Sequence, residues 1–358
     1  MADVGIIDAD LLDGGTRYPN LALMKISQYE KNEGNDVKLI LAYEDSIWFD
    51  KIYLSKVFVK TQVPIDLAGG KISYGGTGFF LEKAPDLPPE IEHSMPDYSL
   101  YADHVANLRK KDANKGDIEA YTEASIGFTT RGCFRKCSFC INRKYDHVFR
   151  HSPVAEFLDK DRRYISLLDD NILAYPGWRE VLDELDATNK PYQYKQGMDI
   201  RLMTKDKAAR LAVAKYNGDF IFAFDNVSEE AAIRKGLSLW REYSSKRTKL
   251  YVLCAYDSMG VEDIEGVFYR IKVLMEYGCT PYLMRYEGYE ESELRGMYIA
   301  LAKWCNQPAL FKKMSFEEFV AAHPEGSTIR RYSEEFLSKN PNFPTMYYKM
   351  KFEKGGQT

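Results

Sequence analysis

Between residues 124 and 286, short apolar runs alternate with stretches of helical period, and that rhythm restricts the fold more than any other property of the chain. Six strands are expected, at residues 124–129, 164–168, 192–196, 219–224, 249–255 and 281–286. The intervening segments carry single apolar faces. One runs through Val267, Ile271 and Leu274 and stops at Gly278, a residue suited to the left-handed turn after a helix. Strand then helix, repeated, builds a parallel sheet, either open and doubly wound or curled towards a barrel. Six units are too few to close an eight-stranded barrel. Sites in such folds form at the carboxyl ends of the strands, so the residues just after each strand carry the functional argument.

The flanks differ from this middle. Ahead of it, apolar runs at 4–7, 37–41 and 51–59 surround a helical pattern through Leu23, Ile26 and Tyr29 that ends near Gly34. This predicts a small α/β domain over 1–83, ended by Pro64 and a glycine-rich stretch around Gly69-Gly70 and Gly75-Gly76. Pro85, Pro88, Pro89 and Pro96 then mark a connector over 84–121, because proline breaks helices and cannot donate to a sheet. The strand-and-helix series fills 122–305, and a proline-punctuated extension fills 306–358.

Directly after the first strand of the series stands Thr129-Thr130-Arg131-Gly132-Cys133-Phe134-Arg135-Lys136-Cys137-Ser138-Phe139-Cys140, a C-x3-C-x2-C spacing. The chain has 6 cysteines in 358 residues, too sparse for a disulfide scaffold, and three of them crowd this loop, which points to metal in a reducing compartment. Three thiolates neither close a tetrahedral zinc site nor cover every iron of a cubane cluster, so a distant fourth ligand exists or one position stays open. Arg131, Arg135, Lys136 and Arg143 supply positive charge that favours thiolates. The plainer alternative is a structural zinc site completed by His147 or His151. Cys254, Cys279 and Cys305 follow no cluster spacing and read as buried thiols.

With its aromatic Phe139 before the last cysteine, this motif resembles the signature of the radical S-adenosylmethionine superfamily. The resemblance extends over the whole strand series. It implies a partial six-unit (β/α)6 TIM-like barrel, preceded here by a small Rossmann-like α/β domain. It also implies that Cys133, Cys137 and Cys140 hold a [4Fe–4S] cluster whose fourth iron chelates S-adenosylmethionine. Reduction, by an electron donor such as flavodoxin or ferredoxin, would cleave the cofactor to methionine and a 5′-deoxyadenosyl radical that removes hydrogen from an unidentified substrate. Such an enzyme is oxygen-sensitive.

The resemblance also directs attention to the other strand ends. Asp169-Asp170-Asn171 follow the second strand, where the family contacts the methionine amino group; the acidic pair resembles the cobalamin-binding and methylthiotransferase-like subgroup, with Asp170 the first choice and Asp169 the second. A helix cap explains either aspartate equally well. Gln196, Asp199 and Arg201 follow the third strand, Asp225 and Asn226 the fourth, Tyr256 and Asp257 the fifth, and Arg285 and Tyr286 the sixth. Together they are expected to form a polar rim that binds the cofactor, each with an ion-paired or solvated loop position as its alternative.

The N-terminal domain keeps only fragments of a cobalamin site. Ser55-Lys56-Val57 and Gly75-Gly76 echo its later elements, but the loop Asp8-Ala9-Asp10-Leu11-Leu12-Asp13-Gly14-Gly15 holds no histidine, which argues against cobalamin and against cobalamin-dependent methyl transfer. Methylthio transfer fares worse, since this domain has no cysteines for a second cluster. With 49 lysines and arginines against 53 acidic residues the net charge is −4, so no global positive field attracts nucleic acid or anionic lipid. The tail over 339–354 interleaves lysines with Phe343, Tyr347, Tyr348 and Phe352, a pattern that could grip a nucleic-acid strand. A packed C-terminal strand with solvated lysines accounts for it better, and a non-catalytic zinc and nucleic-acid-binding module is the alternative to an enzyme. No run of about 18 apolar residues and no signal-peptide pattern is present, so a cytoplasmic protein without membrane contact is expected.

Overall fold

A computed structural model describes residues 1–67 and 69–353. The architecture is α/β with parallel sheets. Compactness divides the chain into two units, one of residues 1–170 with 177–192, the other of 171–176 with 193 onward. The division falls after the second strand of the expected series rather than ahead of the first.

The first unit opens with β1 (Asp3–Asp8), β2 (Asp36–Leu39), β3 (Lys51–Ser55) and β4 (Lys71–Gly75), in the spatial order β2-β1-β3-β4 and parallel throughout. Three strands are expected from the sequence and four are present. The run at 51–59 ends as a strand at Ser55, and the glycine-rich stretch behind it contains β4. Gly70 and Gly76 make that strand feasible, since a Cβ would lie 1.8 Å from the Asp50 carbonyl oxygen at the first and 2.2 Å from the Lys56 carbonyl oxygen at the second. The helix Leu21–Asn32 starts where the Asn20 side chain accepts the Leu23 N–H at 3.3 Å, and it lays Leu23, Met24 and Ile26 against Val4 and Ile6 of β1. The proline-rich connector is not purely extended: Pro88 and Pro89 open the short helix Pro89–Glu92, a position where a missing N–H costs nothing.

The expected series of six is present. β5 (Ala124–Gly127), then the two-residue strands β6 (Thr130–Arg131) and β7 (Phe149–Arg150), and then β8 (Tyr164–Leu167) complete the first unit's strands. β5 and β8 are parallel partners, with Ser125 opposite Ile165. At β9 (Tyr192–Tyr194) the chain passes into the second unit. There β10 (Phe220–Ala223), β11 (Thr248–Cys254) and β12 (Thr280–Arg285) form a parallel sheet in chain order, extended by a single bridge between Met198 and Phe222.

The helix Val261–Glu276 buries Val267, Ile271 and Leu274 completely, and Gly278 at φ +61° ends it as its position suggests. In the tail, Phe343 and the short helix Met346–Lys349, not a strand, carry the aromatic residues inward. Phe343, Tyr347 and Tyr348 are buried and ring Phe268 at 5.5–5.8 Å, so these three rings are closed to a nucleic-acid base. Lys354 of that tail lies outside the described residues.

Candidate functional site

The cysteine loop leaves β5 through Thr129 and is closed at its base by the β6–β7 ladder, where Thr130 faces Arg150 and Arg131 faces Phe149. Gly132 turns the chain into the loop at φ +90°; a Cβ there would lie 2.4 Å from the His147 carbonyl oxygen. Cys133, Cys137 and Cys140 follow, all half-buried. Backbone amides are aimed at two of the sulfurs: the Arg135 N–H donates to Cys133 Sγ and the Asn142 N–H to Cys140 Sγ, each at 3.4 Å. Such donors stabilise thiolates. Phe139 is also half-buried.

Two aspartates after β8 hold this loop. Asp169 is buried, and its carboxylate accepts the Thr129 N–H (3.0 Å), the Thr129 hydroxyl (2.5 Å), the Thr130 N–H (2.6 Å) and the Thr130 hydroxyl (2.7 Å). Asp170 accepts the Gly132 N–H at 2.7 Å and the Asn142 side-chain amide at 2.6 Å. Burial pushes both carboxyls above their usual range, against the lowering effect of these hydrogen bonds. The sequence assigned the pair to the methionine amino group; here both carboxylates are already hydrogen-bonded to the cysteine loop. Asn171 is buried, in the second unit.

The basic residues around the loop are held locally. Lys136 donates to the Arg143 and Tyr145 carbonyls and pairs with Asp146, Arg143 reaches Glu82 at 3.3 Å, and Arg131 lies over the Phe128 ring at 4.2 Å. Arg131 also approaches Glu92 at 3.6 Å, in a network that sequence reasoning missed. Burial raises the Glu92 carboxyl, but the hydrogen bond from His151 and the charges of Lys25 and Arg131 outweigh it and hold the group at about 2. A depressed carboxyl stabilises the fold above its unfolded value and loses that contribution as pH falls from about 4.5 towards 2. Urea titrations should therefore show Glu92→Gln costing about 3 kcal/mol at pH 7 and progressively less below pH 4.5.

The zinc alternative names His147 or His151 as the fourth ligand. His151 Nε2 lies 3.3 Å from Glu92 and its Nδ1 3.0 Å from the Ser152 hydroxyl, while its ring stacks on His93 at 5.3 Å. His147 is exposed, its ring 5.7 Å from Phe149. Among the described residues, no three His, Cys, Asp or Glu side chains gather around a point that could hold one metal ion. Cys254, Cys279 and Cys305 are buried as expected, with burial pushing the Cys254 thiol up to about 12.

In the second unit, the structure brings some predicted residues together and leaves others apart. Asp199 accepts the Arg201 backbone N–H and its Nε at 3.2 and 2.6 Å, and Arg201 pairs with Glu229, which sequence reasoning missed. Asn226 donates to Asp257 at 3.0 Å, and the Tyr256 and Tyr286 rings meet edge-on at 4.7 Å. Arg285 is exposed and stacks on Tyr289 at 4.4 Å; Gln196 is exposed beside Gly197. Arg270, buried on the helix Val261–Glu276, donates to the Phe224, Asp225 and Leu253 carbonyls and so ties the ends of β10 and β11. Its only sequence signal is a cation beside an apolar helical stripe.

Burial, and then the charge of Glu229, raise the Asp225 carboxyl to about 6 against Arg270 and Arg201. A raised carboxyl favours folding below its unfolded value, and that advantage is lost as pH rises from about 4 through 6. Asp225→Asn should therefore raise the melting temperature at pH 7.5 and leave it unchanged near pH 4.

No family model matches the chain, and no curated protein is similar to it in sequence. Its fold is similar to that of TsrM, a radical S-adenosylmethionine methyltransferase from Kitasatospora setae. One structure of that enzyme holds tryptophan substrate and the cofactor analogue aza-SAM; it matches with a TM-score of 0.51 and 11% identity, over 78% of this chain and 72% of that one. Another holds cobalamin and a [4Fe–4S] cluster; it matches with a TM-score of 0.52 and 10% identity, over 79% and 74%. At such identity the likeness is one of fold. Among the described residues, no helix is long and apolar enough to cross a membrane.

Proposed function

We propose that the chain is a radical S-adenosylmethionine enzyme built on a partial six-unit barrel. The observation that carries this reading is the cysteine loop: three half-buried thiols at C-x3-C-x2-C spacing, leaving the first strand of a parallel series, with amides directed at two sulfurs. That donor set fits a cluster with one open iron. Cys133, Cys137 and Cys140 would hold it, and when bound it supplies the electron, delivered by flavodoxin or ferredoxin, that breaks the S–C5′ bond of S-adenosylmethionine. Arg131 and Arg135 offset its negative charge. Gln196, Asp199, Arg201, Asp225, Asn226, Tyr256, Asp257, Arg285 and Tyr286 remain the strand-end residues proposed for the cofactor.

The test is anaerobic. The protein is reconstituted with iron and sulfide, given dithionite and S-adenosylmethionine, and assayed for 5′-deoxyadenosine while iron and zinc are counted. Deoxyadenosine is the expected product. Tightly held zinc with no iron uptake and no cleavage would overturn the reading.

Cobalamin-dependent methyl transfer is the second reading, favoured by the likeness to an enzyme solved with cobalamin bound. The expected absence of cobalamin gains no support from that likeness. The segments 9–20 and 56–67 that follow β1 and β3 contain no histidine, and they are tied together: Asp10 accepts the Val57 N–H at 2.7 Å and the Thr61 hydroxyl at 2.5 Å. A spectral titration with hydroxocobalamin decides whether any corrinoid binds.

A further inference from the structure

We infer that Asp170 is a positioning residue for the cysteine loop, a clasp joining its two shoulders through Gly132 and Asn142, rather than a contact for the methionine amino group. The inference rests on the proposed cluster at Cys133, Cys137 and Cys140.

Gly132 immediately precedes the first cysteine and Asn142 follows the last by two residues. One carboxylate oxygen of Asp170 accepts the Gly132 N–H at 2.7 Å, and the other accepts the Asn142 amide at 2.6 Å. A single side chain, standing just after β8, thus fixes both ends of the segment that carries all three thiols. The Asn142 backbone N–H meanwhile donates to Cys140 Sγ at 3.4 Å, so placing Asn142 also places a donor on a ligand sulfur. Gly132 makes the first shoulder at φ +90° with no room for a Cβ beside the His147 carbonyl, a turn that suits glycine alone. The loop is also held at its base by Asp169 and by the β6–β7 ladder, which joins residues 130–131 to 149–150, and along its length by Lys136, which donates to the Arg143 and Tyr145 carbonyls; Asp170 alone among these reaches Gly132 and Asn142 together. Without the Asp170 clasp, the segment from Gly132 to Asn142 gains conformers that separate the thiols, and cluster affinity falls by the 10–100-fold typical of lost outer-shell partners.

The two roles predict opposite results for conservative changes. Asp170→Asn keeps the clasp, because its oxygen accepts the Gly132 N–H while its amide donates to a flipped Asn142. It removes the negative charge that an ammonium contact needs. Asp170→Ala and Asn142→Ala each break the clasp.

The experiment uses the full chain, with anaerobic chelator-driven iron release from the reconstituted protein, S-adenosylmethionine binding by calorimetry, and the reactivity of the apoprotein thiols towards an aromatic disulfide. The clasp predicts faster iron release, by at least about ten-fold, in Asp170→Ala and Asn142→Ala, with the double variant no worse than either, and near-normal release in Asp170→Asn. In the apoprotein, the same two variants should expose three thiols faster while buried Cys254, Cys279 and Cys305 stay slow. Normal iron release and normal thiol reactivity in Asp170→Ala, with cofactor affinity lost in both Asp170→Ala and Asp170→Asn, would overturn the inference. A wild-type protein that takes up no iron would defeat the cluster assignment, and the thiol rates would still decide whether Asp170 holds the loop.

Discussion

Changing Cys133, Cys137 or Cys140 singly to alanine is expected to reduce 5′-deoxyadenosine formation to background and to lower the iron retained after reconstitution. Each thiolate would cover one iron of the cluster, so the loss of any one leaves an iron without its protein ligand. The side chains are half-buried on a loop outside the apolar cores, so their removal should shift apoprotein stability by less than about 1 kcal/mol. This contrast makes the result interpretable. Cys254→Ala and Cys305→Ala, at buried positions, should show the reverse pattern, with lower melting temperatures and undiminished iron uptake. Full activity in any of the three loop variants would remove the cluster assignment.

What the sequence reveals of this protein depends on how far apart in the chain the determinants lie. The cysteine spacing and the six strands are local patterns, and each strand appears within a few residues of its expected range. β4 escaped because its residues, Lys71-Ile72-Ser73-Tyr74-Gly75, sit among glycines that read as a loop; its place beside β3 is secured by close backbone approach at Gly70 and Gly76, which only coordinates reveal. Glu92 escaped for another reason. It lies in the proline-rich connector, and its meaning comes from Lys25, Arg131 and His151, which the fold gathers from distant parts of the first unit. Asp169 and Asp170 were recognised as important, yet their partners could not be chosen from sequence. A carboxylate after a strand can face a ligand or an adjoining loop, and only the pairing of β5 with β8 brings Thr129 and Thr130 to it.

That pairing makes Asp169→Ala the substitution expected to cost most in folding. The carboxylate is the common acceptor for two backbone N–H groups and two hydroxyls, at 2.5–3.0 Å, in a buried position. The threonine hydroxyls can rotate towards other acceptors once it is gone, but the two N–H groups cannot, and each buried donor left without a partner costs about 1–3 kcal/mol. The expected loss is about 3–5 kcal/mol in urea unfolding. Asp169→Asn should fall between the wild type and alanine, because its oxygen still serves one N–H while its amide faces donors. The damage should also spread along the chain: Thr129 and Thr130 connect β5 to the cysteine loop, so hydrogen exchange at Gly132 and Cys133 should quicken together with theirs. If Asp169→Ala melted with the wild type and lost only affinity for S-adenosylmethionine, the carboxylate would have to turn from the loop to the ligand when the cofactor binds. The four hydrogen bonds would then describe the resting arrangement alone.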